Sequence, residues 1–501
     1  MIETNMKDEC MMEKAKELLE LSLVYGRRII SPQTGFIHHF YRSQDNEVQQ
    51  SIPLHENLLF SLILLRTRLV ENITEAKILI EKLLHFQNRQ INESTGNFPV
   101  YLHEYPACYD HFQSITLLAP LYWILKHYGR VLGQELKNRL EESIKAIFIY
   151  VDRLEETQEF PYSVSVRLAA ARIAYGRLWN NQQEVERGES VLNKLQALNE
   201  VDCWHTTEKL SDLIIALQMV YPSIKQSPWK VLWNYLETTW DQHSGAYVGP
   251  CIKEEQKKEE PSVGAYDYFL SYYTRHYTPR IKVAQISLLK VALLNPSEDV
   301  FDDFSAIVHS GGTHWDNQWN LIIQHDWACA LLEKQANLTR CHIKTYSPFR
   351  LVWSDISRVH SFVCQSLNAN KVTYTIDDSV FNLFFHLESC PDLNEREKQK
   401  EISFFLDFDP NQLIRVDGLR SSTFELGQSV TIQLGNRMFS LSFECLEGNG
   451  NFLGHIMRGN RPSQIEIKGE NRFKSYDWAF FMRTIRRAEN CIIRAQIRML
   501  S

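Results

Sequence analysis

Residues able to do chemistry concentrate in three polar and aromatic segments, of which the first is NFPVYLHEYPACYDH, residues 97–111. Pro99 and Pro106 exclude a helix there. A connection of this length usually has a function, and its aromatic content argues against disorder. Carboxylate, imidazole and phenol groups together can perform acid–base catalysis. The candidate catalytic residues of this segment are Asn97, Glu104, Tyr109, Asp110 and His111. The alternative is a packed loop whose polar groups cap neighbouring helices.

The second segment is rich in tyrosine, GAYDYFLSYYTRHY, residues 264–277. A tyrosine ring offers an apolar face to a sugar and a hydroxyl for hydrogen bonding. Tyr266 is a candidate catalytic residue, and the candidate substrate-binding residues are Asp267, Tyr268 and Tyr272. Tyrosines at helical spacing are equally typical of a core or an interface, which is the alternative here.

The third segment is HSGGTHWDNQWNLIIQHDW, residues 309–327. The pair Gly311-Gly312 predicts a turn, after which we expect a helix to begin. In that helix His314 is a candidate catalytic residue, and the candidate substrate-binding residues are Trp315, Asp316 and Trp319. Asp316 is also suited to capping the helix N-terminus. His314 and His325 are too far apart for a zinc pair at i, i+4, so no metal site is expected.

Motifs for cofactors are missing from the sequence. There is no Walker A sequence and no GxSxG elbow, and the glycines of residues 448–454 lie among strands without a following helix. We therefore expect no cofactor. Arginines in the last strands could attract an anion, although an exposed, charged strand face is the commoner arrangement. These arginines are Arg483, Arg486, Arg487, Arg494 and Arg498.

Composition limits the class of protein. The net charge of −7 argues against a nucleic-acid binder. The ten cysteines are scattered without a CxxC pair, which disfavours a disulfide framework or a structural zinc site. The longest aliphatic run, Leu58 to Leu65, is interrupted by Arg66 and is too short to span a bilayer. The first twenty residues lack the pattern of a signal peptide, so we expect a cytoplasmic location and no membrane partner.

Apolar residues recur at helical spacing from about residue 10 to 336, as in the stripe of Leu58, Leu62 and Leu65. After about residue 340 the period becomes two, as in residues 372–376 and 439–445. The sequence therefore predicts an α+β protein of two domains. Residues 1–340 form an N-terminal (α/α) toroid of helix pairs, and residues 341–501 form a C-terminal antiparallel β-sandwich.

One turn pattern recurs three times after helices, in residues 33–36, 94–98 and 243–247. Each copy combines a hydroxyl residue, a glycine and a nearby aromatic. The glycine can adopt positive φ and end a helix, and the aromatic can then pack back against the helices. The pattern predicts similar turns at equivalent places in successive helix pairs.

A helical toroid followed by an antiparallel β-domain resembles the polysaccharide lyases of the heparinase II/III and chondroitinase type. The turns are also similar to those of (α/α) toroid glycosidases and lyases. The resemblance implies that a tyrosine or histidine removes the proton α to a uronate carboxyl group, while an asparagine or acid neutralises that group. Suitable side chains are present in Asn97, Tyr109, His111, Tyr266 and His314. In a toroid hydrolase two carboxylates act instead, with candidates Glu104, Asp110, Asp267 and Asp316.

The leading hypothesis is a carbohydrate-active enzyme, either a lyase or a hydrolase, that acts on an oligosaccharide or a uronate-containing glycan. We expect the three segments to converge on one concave surface at a mouth of the toroid. The absence of an export signal favours an intracellular oligosaccharide over a polymer. The alternative is a non-catalytic helical scaffold that binds a protein or a glycan. No protein partner is identifiable from the sequence.

Overall fold

The molecule is known from a computed structural model. The described residues are 2–42, 48–197, 207–241, 246–249, 252–253, 286–295, 308–314, 317–334, 345–354, 359–365, 369–388, 400–406, 412–462 and 476–500. The predicted tyrosine-rich segment, residues 264–277, and the pair Trp315-Asp316 lie outside them.

The N-terminal part is helical. Some of its helices, such as residues 134–155, bury one side, whereas residues 54–66 and 162–179 are buried on nearly all sides, and together the helices form a continuous core. The α-helices are α1 (Ile2–Ile29), α2 (Leu54–Arg66), α3 (Val70–Leu84), α4 (Gln113–Leu132), α5 (Gln134–Glu155), α6 (Tyr162–Trp179), α7 (Gln182–Ala197), α8 (Thr207–Val220) and α9 (Lys230–Thr239), with 3₁₀ helices at Leu102–Glu104 and Ile286–Leu293.

The pairs α2 and α3, α4 and α5, and α6 and α7 form hairpins because the connection within each pair is very short. Gly133 alone joins α4 to α5, with φ of +84°, and Asn180 ends α6 in the left-handed conformation. The helices α2, α4, α6 and α8 pack side by side as one layer, which we call the inner layer. The helices α3, α5 and α7 pack outside their partners. This layering is the arrangement of helix pairs predicted from the sequence.

The inner helices are parallel, and their N-termini lie at one end of the array, which we call the N-terminal face. The amide of Leu54 donates to the carbonyl of Val100 at 2.9 Å, and the hydroxyl of Ser114 accepts from the amide of Phe98 at 3.0 Å. One loop therefore contacts the starts of α2 and α4. The rings of Phe112 and Phe160, which precede α4 and α6, meet edge to face at 5.4 Å.

The C-terminal part is built from antiparallel strands, and two short strand pairs also lie within the helical part. The strands are β1 (His39–Arg42), β2 (Val48–Ser51), β3 (Trp240–Asp241), β4 (Ala246–Tyr247), β5 (Ile252–Lys253), β6 (Val308–His314), β7 (Asn317–Ile323), β8 (Trp327–Leu332), β9 (Thr345–Tyr346), β10 (Phe349–Ser354), β11 (Val359–Gln365), β12 (Lys371–Asp377), β13 (Val380–Leu387), β14 (Lys400–Leu406), β15 (Leu413–Val416), β16 (Thr423–Phe424), β17 (Ser429–Leu434), β18 (Arg437–Glu447), β19 (Gly450–Pro462), β20 (Tyr476–Arg487) and β21 (Cys491–Leu500).

Two large sheets result, with strand orders β16-β19-β20-β14-β11-β10-β8-β7-β6 and β12-β13-β21-β18-β17-β15. Aromatic rings join them face to face. Phe349 lies 5.6 Å from Phe381 across the interface, and Phe362 lies 4.8 Å from Phe439. The C-terminal part is therefore the predicted antiparallel sandwich, and its predicted strands at residues 372–376 and 439–445 are confirmed.

The start of the sheet region differs from the expectation. Residues 308–332 form β6, β7 and β8 of the nine-stranded sheet, so the predicted helix that begins with His314 and holds Trp319 is wrong. The described sheet thus begins about thirty residues before the expected boundary at 340. The physical reason is that Leu321 and Ile322 face opposite sides of a strand and are both buried, which removes the alternation typical of strands.

The glycines of the recurring turn adopt the expected positive φ, but they lie beyond the helix ends instead of at them, since α1 ends at Ile29 and α3 ends at Leu84. Gly35 and Gly96 both have positive φ, +73° and +96°, and Phe98 is buried in the helical core. The third copy, residues 243–247, lies mostly outside the described residues. Within the described chain, no helix has both the length and the apolar character needed to cross a membrane.

Candidate functional site

Asn97 lies fully buried at the base of the first predicted segment. Its Nδ2 donates to the carbonyl of Asp110 at 2.9 Å, and its Oδ1 accepts from the hydroxyl of Ser114 at 2.6 Å. The side chain thus closes the loop of residues 97–110 and fixes it to the first turn of α4. Both polar atoms of Asn97 are engaged in holding the loop.

Two of the candidate carboxylates also bond to the loop backbone. Glu104 Oε2 accepts from the amide of Val100 at 3.1 Å, and Asp110 Oδ1 accepts from the amide of Phe112 at 2.7 Å. These are the capping contacts of the alternative interpretation. Tyr109 and His111 are exposed, Tyr109 to 76%, and Asp110 is exposed as well. Unlike Asp110, Tyr109 and His111 are candidates whose side chains are not used in these loop contacts.

The described residues of the third predicted segment, 309–314 and 317–327, lie in strands β6, β7 and β8 of the nine-stranded sheet and in the turn before β8. His314 ends β6 and pairs with Asn317, the first residue of β7. Trp319 stands on β7 with its indole over Gly312, where an added Cβ would come within 2.9 Å of Nε1. The candidates outside the described residues are Tyr266, Asp267, Tyr268, Tyr272, Trp315 and Asp316.

A cavity at the N-terminal face brings together a set of residues that the sequence did not single out. Its polar lining comes from the first two turns of the inner helices and from the 3₁₀ helix Ile286–Leu293, namely His55, Thr116, Arg167, Asp212 and Lys290. Counted out to bulk solvent, its volume is about 370 Å³, and its inner part is narrow.

Asp212 is the centre of the charged contacts in this cavity. Its Oδ2 lies 3.7 Å from Arg167 Nη1, and its Oδ1 forms an ion pair with the ammonium of Lys290. Arg167 also donates to the hydroxyl of Thr116 at 3.1 Å. The exposed fraction of the side chain is only 15% for Arg167, 14% for Asp212 and 6% for Lys290. Charges this deep are costly unless they are paired, so their positions are fixed by one another.

The cavity exists because small residues lie one helical turn beyond the polar residues on the same helices. Ala171 follows Arg167 by four residues, and Ala216 follows Asp212 by four, so each alanine lies beneath its polar neighbour on the same helix face. Ala119 occupies the corresponding place on α4. The cavity therefore has a polar ring near the helix N-termini and a narrow apolar floor below it.

The electrostatics of the polar ring favour an anion. Among the residues that line the cavity, Arg167 and Lys290 carry positive charge and Asp212 is the carboxylate. Four parallel helix N-termini add partial positive charge at the same end. A carboxylate or sulfate group would therefore be attracted to this ring, and an ammonium group would be repelled.

His55 at the rim is coupled to the adjacent Glu56. Burial opposes the charge of Glu56, but the neighbouring His55 imidazole, 3.7 Å away, together with a backbone hydrogen bond and His39, outweighs burial and lowers the pKa of this carboxyl below its ordinary value. Glu56 is thus ionised at neutral pH.

The sequence itself indicates one of the polar residues that line the cavity. Lys290 is a single charge in the apolar run ISLLKVAL, and its neighbours Leu289 and Val291 are buried. A lysine in such a run needs a buried partner. Nothing local identifies that partner as Asp212, because the two residues meet only in the folded chain, where the ammonium of Lys290 pairs with Asp212 of α8. Among the described residues, no group of three or more His, Cys, Asp or Glu side chains is placed to hold a metal ion.

No family model matches this chain, and no curated protein matches it. Among solved structures, the chain is similar to heparinase III, with 9% identity, a TM-score of 0.38, and coverage of 97% of this chain and 85% of that one. It is also similar to a second heparinase III with methylated lysines, with 9% identity, a TM-score of 0.31 and coverage of 89% and 77%.

A third similar structure is a heparan sulfate lyase from Pedobacter heparinus, with 9% identity, a TM-score of 0.27, and coverage of 97% of this chain and 83% of that one. These matches agree with the resemblance stated from the sequence. Because all three TM-scores are below 0.5, the fold described above rests on the helices and sheets of this chain alone.

Proposed function

We propose that this chain is a carbohydrate-active enzyme, a lyase or a hydrolase, that acts on an oligosaccharide containing uronate. The observation that carries the proposal is the convergence of Arg167 and Lys290 on one cavity at the N-terminal face. In this proposal a uronate carboxylate reaches Arg167 and Lys290 from the mouth of the narrow cavity and accepts charge-assisted hydrogen bonds there. The sugar ring itself then remains at the mouth.

The loop of residues 97–111 is bonded to residues that neighbour the cavity lining in sequence, which supports a place for it at the mouth in this proposal. Leu54, which bonds to the loop, precedes His55 of the cavity wall, and Ser114, which bonds to Asn97, is two residues from Thr116. The exposed side chains of Tyr109 and His111 belong to this loop and supply a phenol and an imidazole for proton transfer. Asn97, Glu104 and Asp110 support the loop in this proposal.

In a lyase, neutralisation of the uronate carboxylate by Arg167 and Lys290 would acidify the proton on the neighbouring carbon. An imidazole such as His111 or His55 then removes that proton, and a phenol such as Tyr109 protonates the leaving oxygen. In a hydrolase the same cations would only bind the substrate, and two carboxylates would flank the glycosidic bond that is cleaved. Among the residues predicted from the sequence, we keep Tyr266 and His314 as candidate catalytic residues and Asp316 as a candidate substrate-binding residue.

The test is incubation of the full chain with uronate-containing oligosaccharides from heparan sulfate, chondroitin and polygalacturonate. New ultraviolet absorbance from an unsaturated uronide identifies a lyase, and reducing ends without that absorbance identify a hydrolase. We expect Arg167→Met to lower kcat/KM by about a hundredfold. Arg187→Met, which changes an exposed arginine on α7, is the matched control. Absence of product with every uronate substrate would refute the enzymatic proposal.

A non-catalytic glycan-binding scaffold is the second candidate. The capping contacts of Glu104 and Asp110 favour it, because these carboxylates bond to backbone amides of their own loop. Under this alternative, uronate oligosaccharides bind without turnover, and Arg167→Met weakens binding. Calorimetry on the unreacted oligosaccharides distinguishes the two candidates.

A further inference from the structure

The two sheets of the sandwich differ in width, and this leaves one side of the larger sheet uncovered. Strand β13 lies opposite β8, since the rings of Trp327 and Phe381 meet at 5.9 Å. Strand β12 lies opposite β7, since Asn320 Nδ2 donates to the hydroxyl of Tyr374 at 2.7 Å. Strand β12 is the edge of the six-stranded sheet, so among the described strands none of that sheet lies beneath β6.

A groove lies under this overhang. Counted out to bulk solvent, its volume is about 840 Å³, and it opens widely to the surface. Its polar lining comes from both sheets, with Asp378 from the turn between β12 and β13. The lining residues that matter here are His309, Ser310, Asn320, Gln324, Trp327 and Asp378.

The groove combines an aromatic wall with fixed amides. Trp327 is partly exposed, and its edge-to-face contact with Phe381 sets the orientation of its indole. The bond to Tyr374 orients the amide of Asn320, and burial raises the pKa of Tyr374 to about 12, so its hydroxyl stays protonated. A Cβ on Gly311 would lie 2.7 Å from Asn320 Oδ1. A larger residue at position 311 would therefore displace the amide of Asn320.

The charge of this groove is opposite to that of the helical cavity. Its described lining contains the carboxylate of Asp378 and neither lysine nor arginine. A partly exposed indole with side-chain amides and one carboxylate suits the apolar face and hydroxyl groups of an uncharged sugar. An anionic sugar would be repelled by Asp378.

We propose that this groove is a binding site for a neutral sugar ring, which stacks on Trp327 and hydrogen-bonds to Asn320, Gln324 and Asp378. The site is separate from the helical cavity and does not depend on the proposed enzymatic activity. It would bind a neutral sugar unit of a glycan to the β-sandwich.

The test is isothermal titration of the full chain with three neutral hexasaccharides, cellohexaose, xylohexaose and maltohexaose, beside a heparan sulfate hexasaccharide. We expect saturable binding of at least one neutral hexasaccharide, weakened about tenfold or more by Trp327→Ala and by Asn320→Ala. Arg167→Met should leave this binding unchanged, whether or not uronate turnover is lost.

Because Trp327→Ala removes a packed side chain, the thermal midpoint of each variant is measured, and Asn320→Ala and Gln324→Ala provide variants with smaller changes in packing. Asp378→Asn should preserve binding of the neutral hexasaccharide. It should also remove the electrostatic repulsion that keeps the heparan sulfate hexasaccharide out of the groove. The proposal is overturned if none of the neutral hexasaccharides binds, or if binding survives all of Trp327→Ala, Asn320→Ala and Gln324→Ala unchanged.

Discussion

The Oδ1 atom of Asn97 accepts a hydrogen bond of 2.6 Å from the hydroxyl of Ser114, across a loop of sixteen intervening residues. The same side chain donates to the carbonyl of Asp110. One buried amide therefore fixes both ends of the loop at the N-terminal face. Its effect on a substrate is indirect, through the positions of Tyr109 and His111.

Asn97→Ala should lower the free energy of unfolding by about 1–3 kcal/mol, because the buried hydroxyl of Ser114 loses its acceptor. Chemical denaturation measures the loss. Asn138→Ala, which changes an exposed asparagine on α5, should cost less than about 0.5 kcal/mol. If Asn97→Ala retained full stability but lost activity, a direct catalytic role would replace the positioning role.

Arg172 should be among the most sensitive charged residues of the helical part. It is 1% exposed and bonds to Asp152, Glu155 and Glu184, at 2.5, 2.9 and 2.7 Å. Arg172→Met should cost about 2–4 kcal/mol, since the charge-assisted bonds between α5, α6 and α7 are lost. Denaturant titration of the variant measures this.

Arg187 is the matched control, because it bonds to Asp152 and Glu155 as well but is 42% exposed. Arg187→Met should cost less than about 1 kcal/mol, as solvent screens its charge. Equal losses for the two variants would show that the burial of Arg172 is not what makes its ion pairs important.

Gly96→Ala tests the recurring turn. Gly96 has φ of +96°, and an added Cβ would lie 2.5 Å from the carbonyl oxygen of Ala146 on α5. Gly418 has φ of +83° with open space around it, so Gly418→Ala should show the backbone cost alone, about 1–2 kcal/mol. We expect Gly96→Ala to lose about 1–3 kcal/mol more, from the close contact. Similar thermal midpoints for the two variants would contradict the close packing of this turn.

His127 should contribute to acid sensitivity. Burial, assisted by the positive charges of Lys126 and Arg66, lowers the pKa of His127 below 6.5. The folded protein then binds fewer protons at this site than the unfolded chain, so its stability falls as the pH drops from about 6.5 through the lowered pKa.

His127→Phe should reduce that fall, because the aromatic stack on Trp123 at 5.2 Å is kept while the titrating group is removed. Thermal midpoints at several values between pH 7.5 and pH 5 measure the difference between the variant and the wild type. An unchanged pH dependence would exclude His127 as a contributor.

The sequence predicts the helix pairs and the later strands because both kinds of element have one buried face. In α5 the buried residues Leu136, Leu140, Ile144 and Ile147 follow helical spacing, and in β13 burial alternates strictly. Patterns of this kind depend on local order alone, so a single sequence displays them.

The sequence did not predict the first strands of the nine-stranded sheet or the charged cavity. Strands β7 and β8 are buried on both faces, so their run of apolar residues has no period of two. Asp212 and Lys290 are distant in sequence, and only their packing makes them a pair. A local pattern can mark Lys290 as unusual, but a buried ion pair is a property of the folded chain.

The helical array has unequal ends. One end has connections as short as Gly133, and the other carries the loop that starts at residue 85 and ends at residue 112. A loop at the long-connection end can change in length or composition without moving the helix axes, since the short hairpins already fix them. The array is thus a suitable scaffold for engineering new ligand preference, by grafting loops at the N-terminal face while α4 and α5 stay joined through one residue.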